Sequence, residues 1–241
     1  MAGYQTHLAT STTLGVGYAA IGYATGLPLP TCTLGAGLCA FAGILPDLDS
    51  KTGIPVREVV SFTAAVVPLL MIDRFIYMGW SNEMIVLAGG LIYLAIRFGM
   101  VRVFRRYTVH RGMWHSVPAA LTAATVTFLV CAYPDMTPRF YKAGAVLTGY
   151  LGHLLLDELY SIEWNSGRLR FKKSFGTAFK FWSRQSPWAN VSTYGRLTLF
   201  ILLALGDPLV VKQLPDDHTE VPRTARQLLQ DAVEHGENVI R

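Results

Sequence analysis

LATSTTLGVGYAAIGYATGLPL, residues 8–29, carries no ionisable side chain, and after Pro30 the apolar run resumes as TCTLGAGLCAFAGILP, residues 31–46. A helix needs about 20 mostly apolar residues to cross a bilayer, so this stretch alone predicts two membrane helices separated by the Pro28/Pro30 break. Working outward, comparable windows follow at Val59–Ile72 (extending toward Met78), Met84–Met100, Val117–Tyr133 and Ala143–Leu156. A shorter one, Leu197–Val211, is interrupted by Gly206, Asp207 and Pro208. The expected fold is an all-α polytopic membrane bundle of six transmembrane helices plus this short seventh segment.

Composition agrees. Of the 241 residues 51% are hydrophobic and 15% charged, against roughly 25% charged in ordinary soluble domains. That balance argues against a soluble globule and against a disordered chain. Three cysteines are too few for a disulfide scaffold. Cys32, Cys39 and Cys131 all sit in apolar runs and form no CxxC, so they read as packing thiols. No Lys or Arg precedes the first apolar run, which argues against a cleaved signal peptide.

Six alternating helices divide the loops into two sets. The side that holds the N-terminus receives Lys51 and Arg57; Arg97, Arg102, Arg105, Arg106 and Arg111; and Arg168, Arg170, Lys172, Lys173, Lys180, Arg184 and Arg196. The opposite loops hold Arg74, Arg139 and Lys142. The positive-inside rule makes the first side cytoplasmic. The net charge of +5 is thereby assigned to juxtamembrane anchoring, which argues against nucleic acid as a partner. The chain divides into a bundle (1–160), a basic aromatic interfacial segment (161–196) suited to anionic lipid headgroups, a short apolar segment (197–211) and a polar tail (212–241). The tail is expected to hold one surface helix from about Arg223 to His235, on the side opposite the site if 197–211 crosses.

Ionisable groups at membrane helices are costly, so each calls for a partner or a role. They fall in four clusters: Thr6-His7; GILPDLDS (43–50), with Asp47 and Asp49; HRGMWHS (110–116), with His110 and His115; and GYLGHLLLDE (149–158), with His153, Asp157 and Glu158. Alternation places all four at the cytoplasmic side. His153 and Asp157 are spaced i, i+4 on one helix face, where both can hold one ion. Asp47 and Asp49 leave a helix at Pro46, where an extended or turning backbone points i and i+2 carboxylates the same way. His110 and His115 flank a turn at Gly112. Four His and three Asp suit two ions better than one. Alternatives stay open: HxxxD as a plain hydrogen-bonded pair, DxD as a cap, the whole set as a proton relay in a transporter, or a non-catalytic regulatory protein.

In order, these motifs resemble those of the YdjM-like family of inner-membrane-associated metal-dependent hydrolases, also labelled LexA-binding. The resemblance covers roughly residues 1–160 and implies a multi-pass bacterial inner-membrane protein. His7, Asp47, Asp49, His110, His115, His153 and Asp157 occupy its motif positions, which are the ones expected to bind metal. Trp114 departs from the Thr usual there. The expected chemistry is hydrolysis of a phosphoester or acyl bond in a lipid-like or phosphorylated anionic substrate. Two divalent ions, zinc first and manganese or iron second, would make water nucleophilic near neutral pH. Arg111 is a candidate phosphate clamp, equally readable as an anchor; Asp49 or Glu158 is the candidate base. Ser116, just before Val117-Pro118, reads as a helix cap rather than a nucleophile, and Ser50 likewise as a cap.

Overall fold

The computed structural model describes residues 3–49, 53–100, 113–132, 135–165, 168–171, 179–183 and 186–212, with backbone alone at 48–49, 53–55, 100, 163–165 and 168–171. Helix α1 runs Tyr4–Ala24 and α2 Leu29–Ala42, followed by a 3-10 turn at Leu45–Asp49. Then come α3 (Gly53–Leu70), α4 (Ile72–Tyr77) and α5 (Asn82–Leu94), the last continuing as a π-helical stretch, Ala95–Met100. Helices α6 (Val117–Val130) and α7 (Met136–Leu159) lead into an antiparallel hairpin of β1 (Ile162–Asn165) and β2 (Arg168–Phe171). Helix α8 (Pro187–Leu205) and the single turn α9 (Pro208–Val211) complete the fold.

Local chemistry sets the boundaries. Ser81, Ser116, Asp135, Ser186 and Asp207 each accept a hydrogen bond from a backbone N–H in the first turn of the next helix, which satisfies a donor the helix leaves orphaned. Proline comes directly after the cap in α6, α8 and α9, or one position later, where its missing N–H costs nothing. The turns that reverse the chain after α1 and after α4 need a left-handed residue, and Gly26 and Gly79 supply it with φ of 91° and 74°.

Packing is closest among α1, α2 and α7. A Cβ on Gly15 would strike the Ala36 carbonyl, and one on Gly149 the Cys39 carbonyl. Small residues thus let the backbones approach to contact distance, the usual means of association where lipid removes the hydrophobic drive. Leu38, Cys39 and Ala42 of α2 meet Ala145 and Val146 of α7, and Ala119 and Ala120 of α6 meet Tyr150 and Leu154 on the next stretch of α7. Helix α7 is therefore the central post of the bundle.

Three segments are long and apolar enough to cross a membrane: Leu29–Asp47, Val56–Tyr77 and Asn82–Gly99. Val117–Val130 is apolar but shorter. Six such spans were expected from the sequence. The shortfall has a physical cause: α1 is diluted by Thr10, Ser11, Thr12 and Thr13, and α7 carries Arg139, Lys142, Asp157 and Glu158. Both are long helices whose polar residues lower their hydropathy. The window read from Leu197 also changes, since it is the second half of a helix that starts ten residues earlier, at Pro187. Within the basic aromatic segment the chain forms the β1–β2 hairpin, a departure from an all-helical reading. The expected tail helix from about Arg223 lies outside the described residues, as does Ser50.

The helices run end to end between two polar layers. His7, Gly43, His115, His153 and Asp157 gather at one end; Arg74, the Phe128 and Leu129 carbonyls, Arg139 and Asp207 gather at the other. Fourteen residues of α7 separate His153 from Arg139, about 21 Å along the axis. Helix α8 begins at the first end, where the Val117 N–H donates to the Lys180 carbonyl and Asn190 bonds both backbone groups of Ser183, and finishes at the second. Phe181 and Trp182, ahead of the helix, and Trp188 in its first turn are exposed.

Candidate metal centre

His7 lies in the first turn of α1, where its side chain faces α7. His153 and Asp157 lie one turn apart near the end of α7, and Asp47 sits on the 3-10 turn after α2. His115 immediately precedes the Ser116 cap of α6. Four sequence-distant pieces of chain thus bring five ionisable side chains into one buried cluster. His7 and His153 are each 2% exposed, His115 5% and Asp157 7%. Asp47 is the most open member.

His7 Nε2 is 3.3 Å from Asp157 Oδ1, and His153 Nε2 is 3.7 Å from Asp157 Oδ2. Asp47 Oδ1 lies 3.8 Å from His153 Nε2 and 3.9 Å from His115 Nε2. Most of these gaps are long for hydrogen bonds. They are near the separation of about 3.4 Å between neighbouring ligand atoms on a tetrahedral zinc with bonds of about 2.1 Å. The rings of His7 and His153 stack with centroids 3.7 Å apart. His7, Asp47 and His153 form one group able to hold an ion; His115, His153 and Asp157 form another.

The tautomer of His153 is set by its neighbour. Its Nδ1 is 2.7 Å from the Gly43 carbonyl, which can only accept, so Nδ1 carries the proton and Nε2 presents a lone pair to the two carboxylates. Orientation of a ligating imidazole by a backbone carbonyl is a common device of metal sites. His153 Nε2 and His7 Nδ1 are buried with no hydrogen-bond partner. Leaving such groups unsatisfied is costly, and an ion among them would remove that cost. The donor set of imidazoles and carboxylates fits a divalent metal.

Packing fixes Gly43 in turn. Ser11 Oγ lies 2.8 Å from the His7 carbonyl and 2.9 Å from that of Ala40, and a Cβ on Gly43 would collide with Ser11. The backbone beneath Asp47 is a 3-10 turn, not the extended strand in which i and i+2 side chains share a direction. The Asp49 side chain, His110 and Arg111 lie outside the described residues. Glu158, one position after Asp157 and so turned about 100° around α7, is half-buried and belongs to neither three-residue group. Ser116 caps α6, accepting from Ala119 N at 3.3 Å.

The second polar layer carried no sequence signal beyond the oddity of its charges. Asp207 Oδ2 accepts from Arg74 at 2.7 Å and from Arg139 at 2.8 Å, and Arg139, fully buried, also donates to the Phe128 carbonyl and lies over the Phe128 ring. This triad joins α4, α6, α7 and the end of α8.

No curated protein and no solved structure shows significant similarity to the chain. The sequence model of the YdjM inner membrane protein family matches residues 1–205, which takes in every helix through α8 and the whole His/Asp layer. The chain belongs to the YdjM inner membrane protein family.

Proposed function

We propose that the protein is a membrane-bound, metal-dependent hydrolase acting on a phosphoester or acyl bond of a lipid-like anionic substrate. The observation that carries the reading is His153, its Nδ1 tied to the Gly43 carbonyl and its Nε2 turned toward Asp47 and Asp157, with His7 and His115 beside it. His7, Asp47, His115, His153 and Asp157 would hold the metal, with Asp49 and His110 completing the sequence motifs. A divalent ion, zinc by donor type and two in number by ligand count, supplies a Lewis acid that makes water nucleophilic near neutral pH. The surrounding helices keep bulk water from the cluster, and the partly open Asp47 marks the side from which substrate approaches. Arg111 is placed by its motif to pair with substrate phosphate.

The same reading sets the membrane arrangement. In this reading the three long apolar segments cross the inner membrane together with α1, α6, α7 and α8, the last corresponding to the short seventh segment of the sequence, which would give seven crossings. The more polar α1 and α7 pack on one another and on α2, with the Thr12 and Thr13 hydroxyls bonded back to the Leu8 and Ala9 carbonyls. The excess of Lys and Arg that the sequence assigns to the loops on the N-terminal side argues for a cytoplasmic His/Asp layer. A transporter would hold its ligands near the midplane, on broken helices; here they lie at one end of the bundle. Turnover of phosphatidic acid, phospholipids and simple phosphodiesters by purified protein, with and without chelator, tests the proposal. Hydrolysis abolished by chelator and restored by zinc is expected, and hydrolysis indifferent to chelator would rule out the mechanism.

A further inference from the structure

Trp114 sits between the two loops that deliver Asp47 and His115. Its indole N–H donates to the Leu45 carbonyl at 2.8 Å, on the 3-10 turn two residues before Asp47. Its own carbonyl, in the peptide that leads into His115, accepts from the hydroxyl of Tyr150. Tyr150 is fully buried on α7, three residues before His153. The ring packs on the Ile44 and Val59 cluster beneath the same turn. One side chain and its peptide therefore link three ligand-bearing pieces of chain: the Asp47 turn, the His115 loop and α7.

We propose that Trp114 is a positioning residue of the metal centre, bridging the Leu45 carbonyl and the Tyr150 hydroxyl so that Asp47 and His115 are held in register with His153. The proposal rests on the metal reading above. The physical reason is that Asp47 and His115 come from short irregular segments, where the backbone alone does not hold a ligand to within a few tenths of an ångström. Hydrogen bonds to the backbone beside a ligand limit the geometries it samples before the ion arrives, and loss of such outer contacts characteristically weakens metal binding about 10–100-fold.

The test is zinc affinity of the full chain in detergent, by competition with a chromophoric chelator, for wild type, Trp114→Phe, Asp47→Ala and the double variant. Trp114→Phe keeps an aromatic ring on the Ile44 and Val59 cluster and removes the N–H. Zinc affinity is expected to fall roughly tenfold, with the thermal transition of the metal-free protein almost unmoved. In the Asp47→Ala background the same change should have little further effect, since residues acting through one contact are not additive. Equal affinity in wild type and Trp114→Phe, or a full-sized loss that persists without Asp47, overturns the positioning role. Wild type that takes up no zinc overturns the metal centre itself, a separable result.

Discussion

At the scale of single residues, two kinds of buried polar group behave differently. His153 has one nitrogen satisfied by Gly43 and the other without a hydrogen-bond partner, whereas Asp207 and Arg139 satisfy each other directly at 2.8 Å. The first pattern belongs to a group that could hold a metal ion, the second to a structural pair. Removing one member of a buried pair leaves the other charge uncompensated, at a cost of about 3–5 kcal/mol. Asp207→Ala is therefore expected to destabilise the fold by about 3 kcal/mol, the lower end because Phe128 O still accepts from Arg139. Thermal unfolding in detergent checks this; a variant as stable as wild type would show the triad to be incidental. The clustered His7, Asp47, His115, His153 and Asp157 were legible in the sequence because a His or Asp in so apolar a chain stands out. The contacts that orient them were not, because the Gly43 and Leu45 carbonyls are backbone groups that any residue would offer.

At the scale of elements, α8 is where reading by hydropathy fell short. Its first half, with Ser192, Thr193, Tyr194 and Arg196, is too polar to register as a span, so only Leu197 onward was visible. The signal for its true start was present in Ser186-Pro187, a cap followed by an N-terminal proline. The whole helix reaches from the His/Asp layer to Asp207 at the opposite layer, and on the proposed arrangement its crossing makes the number of crossings odd. A reporter fused after Lys212 should accordingly lie on the opposite side of the membrane from one fused at the N-terminus. Paired fusions to a phosphatase active only outside the cytoplasm and to a protein fluorescent only inside it read this directly. Matching sides at both termini would mean that α8 does not cross. The sequence left the backbone at Asp47 extended or turning, and the structure makes it a 3-10 turn at Leu45–Asp49, a choice that Pro46 does not dictate because proline marks the end of a helix without fixing the residues after it.

At the scale of the whole molecule, the apolar excess and the scarcity of charge have one explanation. Apolar side chains on α5 and α8, among them Val86, Leu87, Leu91, Leu202 and Leu205, face outward, as they should where lipid is the solvent. The buried ionisable groups among the described residues are confined to the two ends of the bundle. Alternation of helices alone was enough to bring His7, Asp47, His115, His153 and Asp157 to one end, so their clustering was legible from the chain. The count of spans was not: three segments are long and apolar enough to cross, while the polar residues of α1 and α7 lower the mean hydropathy of those helices. Everything proposed for function depends on whether that end holds an ion. Metal content of the purified full-length chain, by elemental analysis after dialysis, tests this most directly. The account predicts a tightly held divalent ion, zinc first, in wild type and loss of at least one equivalent per chain in the His153→Ala, Asp157→Ala double variant. Metal content that is the same in both proteins, or wild type that retains none, would contradict it.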